Sequence, residues 1–424
     1  MITAMLMLKN RRMKKMDEHL LERFVNYAKV NTRSDMNSQT VPTTYTQVEF
    51  ALTLAEELKE IGMEEVEYNE ANGFVTATLP SNLMVDVPVI GFIAHIDTAD
   101  FNAENIQPQI HKNYDGKDIL LNEDLGIVMT TTEFPQLVNY IGKTLVTTDG
   151  TTLLGADDKA GMASIVTAME ELIQHPELPH GKIRVAFGPD EEIGRGALLF
   201  DVDHFQADFA YTLDSGVVGK FEYETFNAAQ AELMIKGTSV HPGSAKDSMV
   251  NALLVAAQFA TALPQEEVPE KTAGYEGFYM LSSQIGTIDE VKATYIIRDH
   301  DKATFEKRKK QFAALVDQFN QSFDHPRIAL HLYDQYYNMR DIIEKDFSIV
   351  ELALEAYRSI GIEPDVKSFR GGTDGSIITY KGLPTPNIFT GAENLHGKYE
   401  FVSLEGMQQA AQVVIEIARL NSKK

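Results

Sequence analysis

Cysteine and tryptophan are absent from the 424-residue sequence. Without cysteine the protein has no disulfide framework, no thiolate metal ligand and no cysteine nucleophile. A metal site would therefore have to use histidine, aspartate and glutamate, and only eleven histidines are present. No apolar run reaches the ~20 residues that span a bilayer, so we expect no contact with a membrane.

Positive charge is scarce, because 38 lysines and arginines face 62 aspartates and glutamates, a formal net charge of −24. A surface this negative repels phosphate backbones, so we expect no nucleic acid partner. Residues 1–8 are apolar and are followed by lysines and arginines, which reverses the order found in a signal peptide. We therefore expect a cytoplasmic protein, and we expect residues 1–15 to lie outside the fold.

The pattern of apolar residues predicts an α/β domain at both ends of the chain. Strands buried on both faces read as nearly continuous apolar runs, whereas helices show a period near 3.6 residues. The alternation of the two predicts three layers. The predicted helices are 17–30, 45–61, 158–175, 347–360 and 403–420, and the predicted strands are 86–97, 182–188, 209–213, 366–369 and 386–389.

The central part of the chain follows a different order. It predicts strand 227–236, helix 246–263, strands 277–288 and 291–299, helix 302–323 and strand 327–336. This β-α-β-β-α-β order is the ferredoxin-like α+β unit. We therefore predict an α/β domain formed by residues 16–224 and 339–424, interrupted by an α+β insert at 225–338.

Five short polar segments follow predicted strands or lie in loops, where open α/β sheets bind their ligands. His95 and Asp97 are two residues apart on a strand, so their side chains leave the same face and Asp97 can orient His95. The other acids and histidines in these segments are Asp157, Asp158, Asp190, Glu191, Glu192, Asp214 and His396.

Each segment also has an ordinary structural interpretation. His95 could be a packed core histidine, and Asp157 or Asp158 could cap the following helix. The acids at 190–192 could form a solvated turn, and His396 could be an inert loop residue. Together, however, the segments supply the composition of a site for two zinc ions, with one bridging carboxylate and one acid left as a general base.

Five motifs resemble the peptidase T family of tripeptide aminopeptidases: HIDTAD, GADDKAG, PDEEIG, TLDSG and LHGKYE, together with GTSVHPGSAKDSMVNA at 237–252. The resemblance extends from about Met16 to the C-terminus. It implies a three-layer zinc-peptidase catalytic domain with an inserted α+β ferredoxin-like lid domain. The implied activity is removal of the N-terminal residue from short peptides, preferentially tripeptides, with two zinc ions per chain.

The resemblance also implies a cis peptide bond after Asp157 and a role for seven residues at the metal centre. These are Asp157 as the bridging ligand, His95 and Asp214 as ligands of one ion, Glu192 and His396 as ligands of the other, Asp97 as the residue that orients His95, and Glu191 as the general base.

Three residues are expected to bind the substrate. The resemblance implies that His241 of the lid stabilises the oxyanion, although a turn-lining histidine is the alternative. Arg298 and Arg370 could hold substrate carbonyls or the carboxylate, or could instead form surface ion pairs. The expected partner is a short peptide substrate, and a homodimer is compatible with the sequence.

Two competing functions follow from the same residues. A deacylase or carboxypeptidase of the same two-zinc clan would accept a blocked amine, whereas an aminopeptidase must hold a free ammonium. A catalytically silent metal-binding module would be favoured by loss of Glu191, which is present.

Overall fold

The computed structural model describes residues 16–424, so the expectation for residues 1–15 lies outside the described part of the chain. The chain divides into two compact units. The first unit contains the described residues up to Tyr223 together with Asp341–Lys367 and Thr373–Lys424. The second unit contains Glu224–Arg340 and Ser368–Gly372. Among residues 16–424, no helix is both long and apolar enough to cross a membrane.

The first unit alternates helices with strands, numbered here in chain order. Its strands are β1 (Glu64–Tyr68), β2 (Val75–Leu79), β3 (Ile90–His95), β4 (Gln109–His111), β5 (Ile119–Asn122), β6 (Ile127–Met129), β7 (Leu145–Thr147), β8 (Ile183–Gly188), β9 (Phe209–Leu213), β10 (Lys220–Glu222), β15 (Asp365–Val366), β16 (Asn387–Ile388), β17 (Ala392–Glu393) and β18 (Phe401–Ser403). Its helices are α1 (described over 16–28), α2 (Tyr45–Ile61), α3 (Ala156–Gln174), α4 (Val202–Phe205), α8 (Ser348–Ser359), α9 (Asp374–Tyr380) and α10 (Leu404–Asn421), and the short α7 (Arg340–Ile343) begins at the unit boundary.

An eight-stranded mixed sheet runs through the first unit in the order β1-β2-β8-β3-β9-β16-β10-β15. Neighbouring side chains on a strand leave opposite faces of the sheet. Ala210 of β9 belongs to a core cluster with Ile378 of α9, whereas the Tyr211 hydroxyl donates to the backbone oxygen of Ile349 in α8. Helices therefore cover both faces, which confirms the predicted three-layer α/β architecture.

The second unit is a four-stranded antiparallel sheet with two helices, which confirms the predicted ferredoxin-like insert. The sheet order is β12-β13-β11-β14. Alternate residues of β11 from Ala229 to Ile235 are buried in one core cluster with Phe259 and Phe312 of the two helices. The elements are β11 (Asn227–Lys236), α5 (Ala252–Ala262), β12 (Phe278–Gly286), β13 (Glu290–Asp299), α6 (Lys302–Gln321) and β14 (Ile328–Tyr336).

Three predicted elements are wrong in extent by more than two residues at one end. The strand predicted at 86–97 covers only Ile90–His95. The helix predicted at 246–263 begins only at Ala252, because the Asn251 side chain caps it by accepting a hydrogen bond from the backbone nitrogen of Leu253 (3.0 Å). The strand predicted at 366–369 ends at Val366. The segment Ser368–Gly372 of the predicted stretch 339–424 has its contacts in the second unit instead.

Candidate metal centre

Three parallel strands bring the first group of polar residues to one edge of the sheet. β3 pairs in parallel with both β8 and β9, and His95 at the end of β3 lies opposite Gly188 at the end of β8. The segment 189–192 therefore begins beside His95, and Asp214 follows directly after β9. These polar residues therefore lie at the carboxyl ends of parallel strands, where open α/β sheets bind their ligands.

Asp157 enters the same site from the start of α3. The N-cap of this helix is Gly155, with a φ of 76°, and Asp157 and Asp158 have non-helical backbone angles. Gly155 rather than either aspartate is the N-cap residue of α3, and the helix is kinked at Asp157 and Asp158. The peptide bond between Asp157 and Asp158 is cis, as the resemblance implied.

The carboxylate of Asp157 lies between two histidines. Its Oδ1 atom is 3.0 Å from Nε2 of His95, and its Oδ2 atom is 2.9 Å from Nε2 of His396. Each histidine nitrogen also faces a second acid, because Asp214 Oδ1 lies 3.8 Å from His95 Nε2 and Glu192 Oε1 lies 3.2 Å from His396 Nε2. Two imidazoles and two further carboxylates thus lie around the central carboxylate of Asp157.

Asp97 forms a second layer behind this group. Its side chain is fully buried, and its Oδ1 atom lies 3.3 Å from Nδ1 of His95. The same carboxylate accepts hydrogen bonds from the backbone nitrogens of Glu191 (2.9 Å) and Glu192 (3.2 Å). Asp97 therefore holds both a histidine and the backbone of the acidic segment in place.

The acids at 190–192, after β8, do not form the solvated turn that was the ordinary structural interpretation of this segment. Asp190 is fully buried and has a φ of 59°. It accepts hydrogen bonds from the backbone nitrogen of Thr43 (2.9 Å) and from the side chain of Gln47 (2.8 Å). The segment is thus held from two sides, by Asp97 and by the start of α2.

The buried acids strongly affect one another. Burial raises the pKa of Glu191 and of Asp214 well above the usual range, and neighbouring carboxylates add to both effects. Burial opposes protonation of His95, yet its hydrogen bonds with Asp157 and Asp97 raise the pKa of this imidazole. The Oε1 atom of Glu192 is buried, and His396 Nε2 lies 3.2 Å from it. Such a group of oxygen and nitrogen donors fits bound cations, because they would compensate the clustered negative charge.

Asp158 lies close to the candidate ligands His95 and Asp214, although the resemblance assigned it no role. Among residues 16–424, two groups have donor atoms within 4.8 Å of one another: His95, Asp157 and Glu192 form one, and His95, Asp158 and Asp214 form the other. Asp158 accepts a hydrogen bond from the backbone nitrogen of His95 (3.2 Å), and its Oδ1 atom is buried without a partner. His396 lies in neither group and is half exposed.

Glu400 is a further residue that the sequence reasoning missed. It is 1% exposed and accepts hydrogen bonds from three backbone N–H groups of the loop that carries Asp157. Burial raises the pKa of Glu400 to about 7. The available signal was an acid placed directly before the apolar strand β18, within the LHGKYE motif.

The three expected substrate-binding residues all lie in the second unit. His241 is exposed at the start of a 3₁₀ turn, and its Nδ1 atom accepts a hydrogen bond from the backbone nitrogen of Gly243 (3.1 Å). Arg298 donates to Ala229 O (3.1 Å), to Ile297 O (3.0 Å) and to the Gln335 side chain (2.9 Å).

Arg370 is also engaged within its own unit. Its guanidinium donates to the backbone oxygens of Gly274 and Glu276, both at 2.8 Å, and to Thr272 Oγ1 at 2.9 Å. It also lies over the ring of Phe226, 5.1 Å from the centroid. Arg298 and Arg370 thus have hydrogen-bond acceptors in the protein itself, and neither forms the surface ion pair of the alternative interpretation among the described residues.

Fold and site together define a hydrolase of the metallopeptidase class. The family described as the Peptidase dimerisation domain matches residues 223–324. Peptidase T of Enterococcus faecalis is 59% identical over 409 residues, which cover 96% of this chain and 100% of that protein. Peptidase T of Fusobacterium nucleatum is 55% identical over 405 residues, with 96% and 98% covered. The chain therefore belongs to the peptidase T family.

Solved structures show the same fold. The aminopeptidase PepT of Bacillus cereus aligns with a TM-score of 0.76 at 23% identity, covering 96% of this chain and 99% of that one. A tripeptidase of Staphylococcus aureus gives the same values. A dinuclear metal binding peptidase of the M20 family from Bacillus subtilis aligns with a TM-score of 0.65 at 16% identity, covering 96% and 98%.

Proposed function

We propose that this protein is a zinc-dependent aminopeptidase that removes the N-terminal residue from short peptides, preferentially tripeptides. The observation that carries the proposal is the Asp157 carboxylate, whose two oxygens each face the Nε2 atom of a different histidine, His95 and His396. Relatives at 55–59% identity over 96% of the chain are peptidases T, which supports the same activity and does not favour the deacylase or carboxypeptidase alternative.

The donor set supports two zinc ions per chain. His95 and Asp214 would hold one ion, Glu192 and His396 would hold the other, and Asp157 would bridge them. All five side chains offer the imidazole nitrogens and carboxylate oxygens that zinc accepts. The close approach of these buried carboxylates to one another around two imidazole nitrogens supports cations at this place.

Two bound ions would supply Lewis-acid activation of the peptide carbonyl and of the attacking water. Glu191 is in neither geometric ligand group, and its backbone is held by Asp97. We assign its carboxylate to proton transfer, because it lies outside both groups of candidate ligands and burial raises its pKa above the usual range of a glutamate. It takes a proton from the attacking water and delivers it to the leaving amine.

His241 is proposed as the donor to the oxyanion that develops on the scissile carbonyl. Its Nδ1 atom accepts a hydrogen bond from Gly243, so the neutral ring carries its proton on Nε2. An N–H donor at this position stabilises negative charge in the transition state. The match of residues 223–324 to the Peptidase dimerisation domain includes His241 and supports a homodimer.

Metal removal tests the proposal. Purified protein is dialysed against a chelator, its metal content is measured, and hydrolysis of an unblocked tripeptide is followed before and after zinc is returned. We expect activity to disappear and then return, and we expect Tm to fall in the stripped protein because bound metal favours the folded state. Full activity in protein confirmed to be free of metal would contradict the proposed function. Protein dialysed without chelator is the control.

A further inference from the structure

Glu400 lies in the segment between β17 and β18, four residues after His396. Its side chain is almost completely buried, at 1% exposure. Oε2 accepts hydrogen bonds from the backbone nitrogens of Leu154 and Gly155, both at 2.8 Å, and Oε1 accepts one from the backbone nitrogen of Asp157 at 3.0 Å. Both carboxylate oxygens therefore accept hydrogen bonds from one loop.

The loop that Glu400 holds leads into α3, whose N-cap residue is a glycine. It precedes α3 with Gly155 in the left-handed region, and its N-cap residue provides no side-chain hydrogen bond to the helix. The first N–H groups of a helix lack intrahelical partners and attract negative charge. Glu400 supplies that charge from a different segment of the chain, and one of its three donors is the backbone of Asp157 itself.

The segment that contains His396 and Glu400 thus contacts Asp157 at two points. His396 lies 2.9 Å from its carboxylate oxygen Oδ2, and Glu400 holds its backbone nitrogen. A shift of this backbone would move Oδ1 away from His95 and Oδ2 away from His396 together. Loss of the hydrogen bond between Glu400 and the backbone of Asp157 is therefore expected to affect both proposed metal ions rather than one.

We propose that Glu400 is a positioning residue that sets the place of the Asp157 carboxylate and thereby the affinity of the protein for both metal ions. The inference rests on the proposed metal centre. Charge-assisted hydrogen bonds are shorter and stronger than neutral ones, so three of them on one loop give strong orientation. Residues that orient metal ligands typically change metal affinity by about 10- to 100-fold when they are replaced.

The test is Glu400→Gln. The amide has nearly the same size as the carboxylate, but one of its two positions is an NH₂ group, which cannot accept a hydrogen bond. Whichever way the amide lies, it faces either the Asp157 N–H group or those of Leu154 and Gly155 with a donor. Zinc affinity is measured by competition with a chromogenic chelator, and Co²⁺ substitution reports the coordination geometry through its visible absorption.

Glu57→Gln is the matched control. The Glu57 carboxylate lies in the same unit and accepts hydrogen bonds from Arg23 Nε (2.7 Å) and the Tyr27 hydroxyl (2.5 Å), which do not belong to the ligand-bearing segments. Glu57→Gln is expected to lower the Tm of the metal-free protein with zinc affinity unchanged. Glu400→Gln is expected to weaken binding of both zinc ions by about 10- to 100-fold, to alter the Co²⁺ spectrum, and to regain kcat as free zinc is raised.

If Glu400→Gln binds both ions as tightly as the wild type and only lowers Tm, as Glu57→Gln does, Glu400 is a structural residue and the inference is wrong. If the wild type itself binds no zinc, the proposed function fails instead, so the two failures are distinguishable. Glu400→Asp is the second variant in case the Gln protein does not fold. The aspartate side chain is shorter by one methylene group, so its carboxylate lies farther from the N–H groups of the loop. Weaker zinc binding is again expected, and unchanged binding would overturn the inference.

Discussion

The backbone nitrogen of Glu191 donates a hydrogen bond to Oδ1 of Asp97, 2.9 Å away. The same carboxylate lies 3.3 Å from Nδ1 of His95. A single buried acid therefore links the proposed general base to a proposed metal ligand. The sequence predicted that Asp97 would face His95, because the two are separated by one residue on a strand. Its hold on the backbone of Glu191 depends on the distant strand β8.

We expect Asp97→Asn to lower both zinc affinity and kcat. Oδ1 of Asp97 faces both His95 Nδ1 and the backbone N–H of Glu191, whereas Oδ2 accepts from the backbone N–H of Glu192. In either orientation the amide places an NH₂ group at one of these two positions, so part of the site loses its acceptor. Zinc affinity is expected to fall about 10- to 100-fold, as measured by chelator competition. Asp208→Asn is a control, because Asp208 accepts the backbone N–H of Val89, just before β3, at 2.7 Å. Equal effects of the two substitutions on zinc affinity would contradict the role of Asp97.

Glu191→Gln and Glu192→Gln should separate proton transfer from metal binding. General acid–base catalysis contributes about 100- to 10,000-fold, so Glu191→Gln is expected to lower kcat within that range while two zinc ions remain bound. Glu192→Gln is expected to lose metal first, because Glu192 faces His396 at 3.2 Å. Both quantities are checked by elemental analysis beside steady-state kinetics. Zinc lost from the Glu191 variant and retained by the Glu192 variant would reverse the two roles.

Much of the fold follows from local pattern. The helix at Tyr45–Ile61 and the strands at Phe209–Leu213 and Asn227–Lys236 have the predicted limits, because their apolar periodicity agrees with the burial they acquire. The start of α5 and the end of β15 were wrong, because a side-chain cap and contacts in another unit decided them. Such tertiary effects leave no periodic signal in the sequence.

The candidate site was predictable in its residue types and in its edge of the sheet, because acids and histidines follow buried strands. Glu400 and Asp158 could not be recognised in the same way. Glu400 acts on a loop about 245 positions earlier, as its hydrogen bond with Gly155 shows, and Asp158 approaches His95 only through the backbone conformation of 157–158. The contacts of both residues depend on which backbone N–H groups, from distant parts of the sequence, need a hydrogen-bond acceptor in the folded protein.

Replacement of His241 can distinguish an oxyanion donor from a turn residue. His241→Asn keeps a side-chain acceptor for the Gly243 N–H group, since asparagine is a favoured cap, but it removes the Nε2–H donor. If His241 stabilises the oxyanion, both His241→Asn and His241→Ala should lower kcat by about 100- to 1,000-fold with zinc still bound. If His241 only supports the turn, the Asn variant should keep wild-type kcat and only the Ala variant should lose stability. Kinetics and thermal unfolding of both variants decide between the two.

The choice between aminopeptidase and deacylase is tested by the substrate's own amine. We expect an unblocked tripeptide to be cleaved after its first residue, and we expect its N-acetyl form to be refused. A free ammonium loses its hydration on entering a site unless acceptors receive it, so an aminopeptidase must offer such acceptors. An acetylated peptide leaves those acceptors unpaired, and sites built for a polar group reject analogues without it by about 10,000-fold or more.

The measurement is kcat/KM for the free and N-acetyl forms of one tripeptide, with the C-terminal amide of the same peptide as a control for the opposite end. The sequence suggested that Arg298 or Arg370 could bind the C-terminal carboxylate of the peptide substrate. Both side chains, however, already donate hydrogen bonds to acceptors in the protein. If they still bind the carboxylate, amidation should raise KM, whereas acetylation should abolish turnover. Comparable kcat/KM for the free and acetylated peptides would contradict the aminopeptidase assignment and favour a deacylase. That outcome would leave the proposed zinc ligands unchanged, because both activities use the same metal centre.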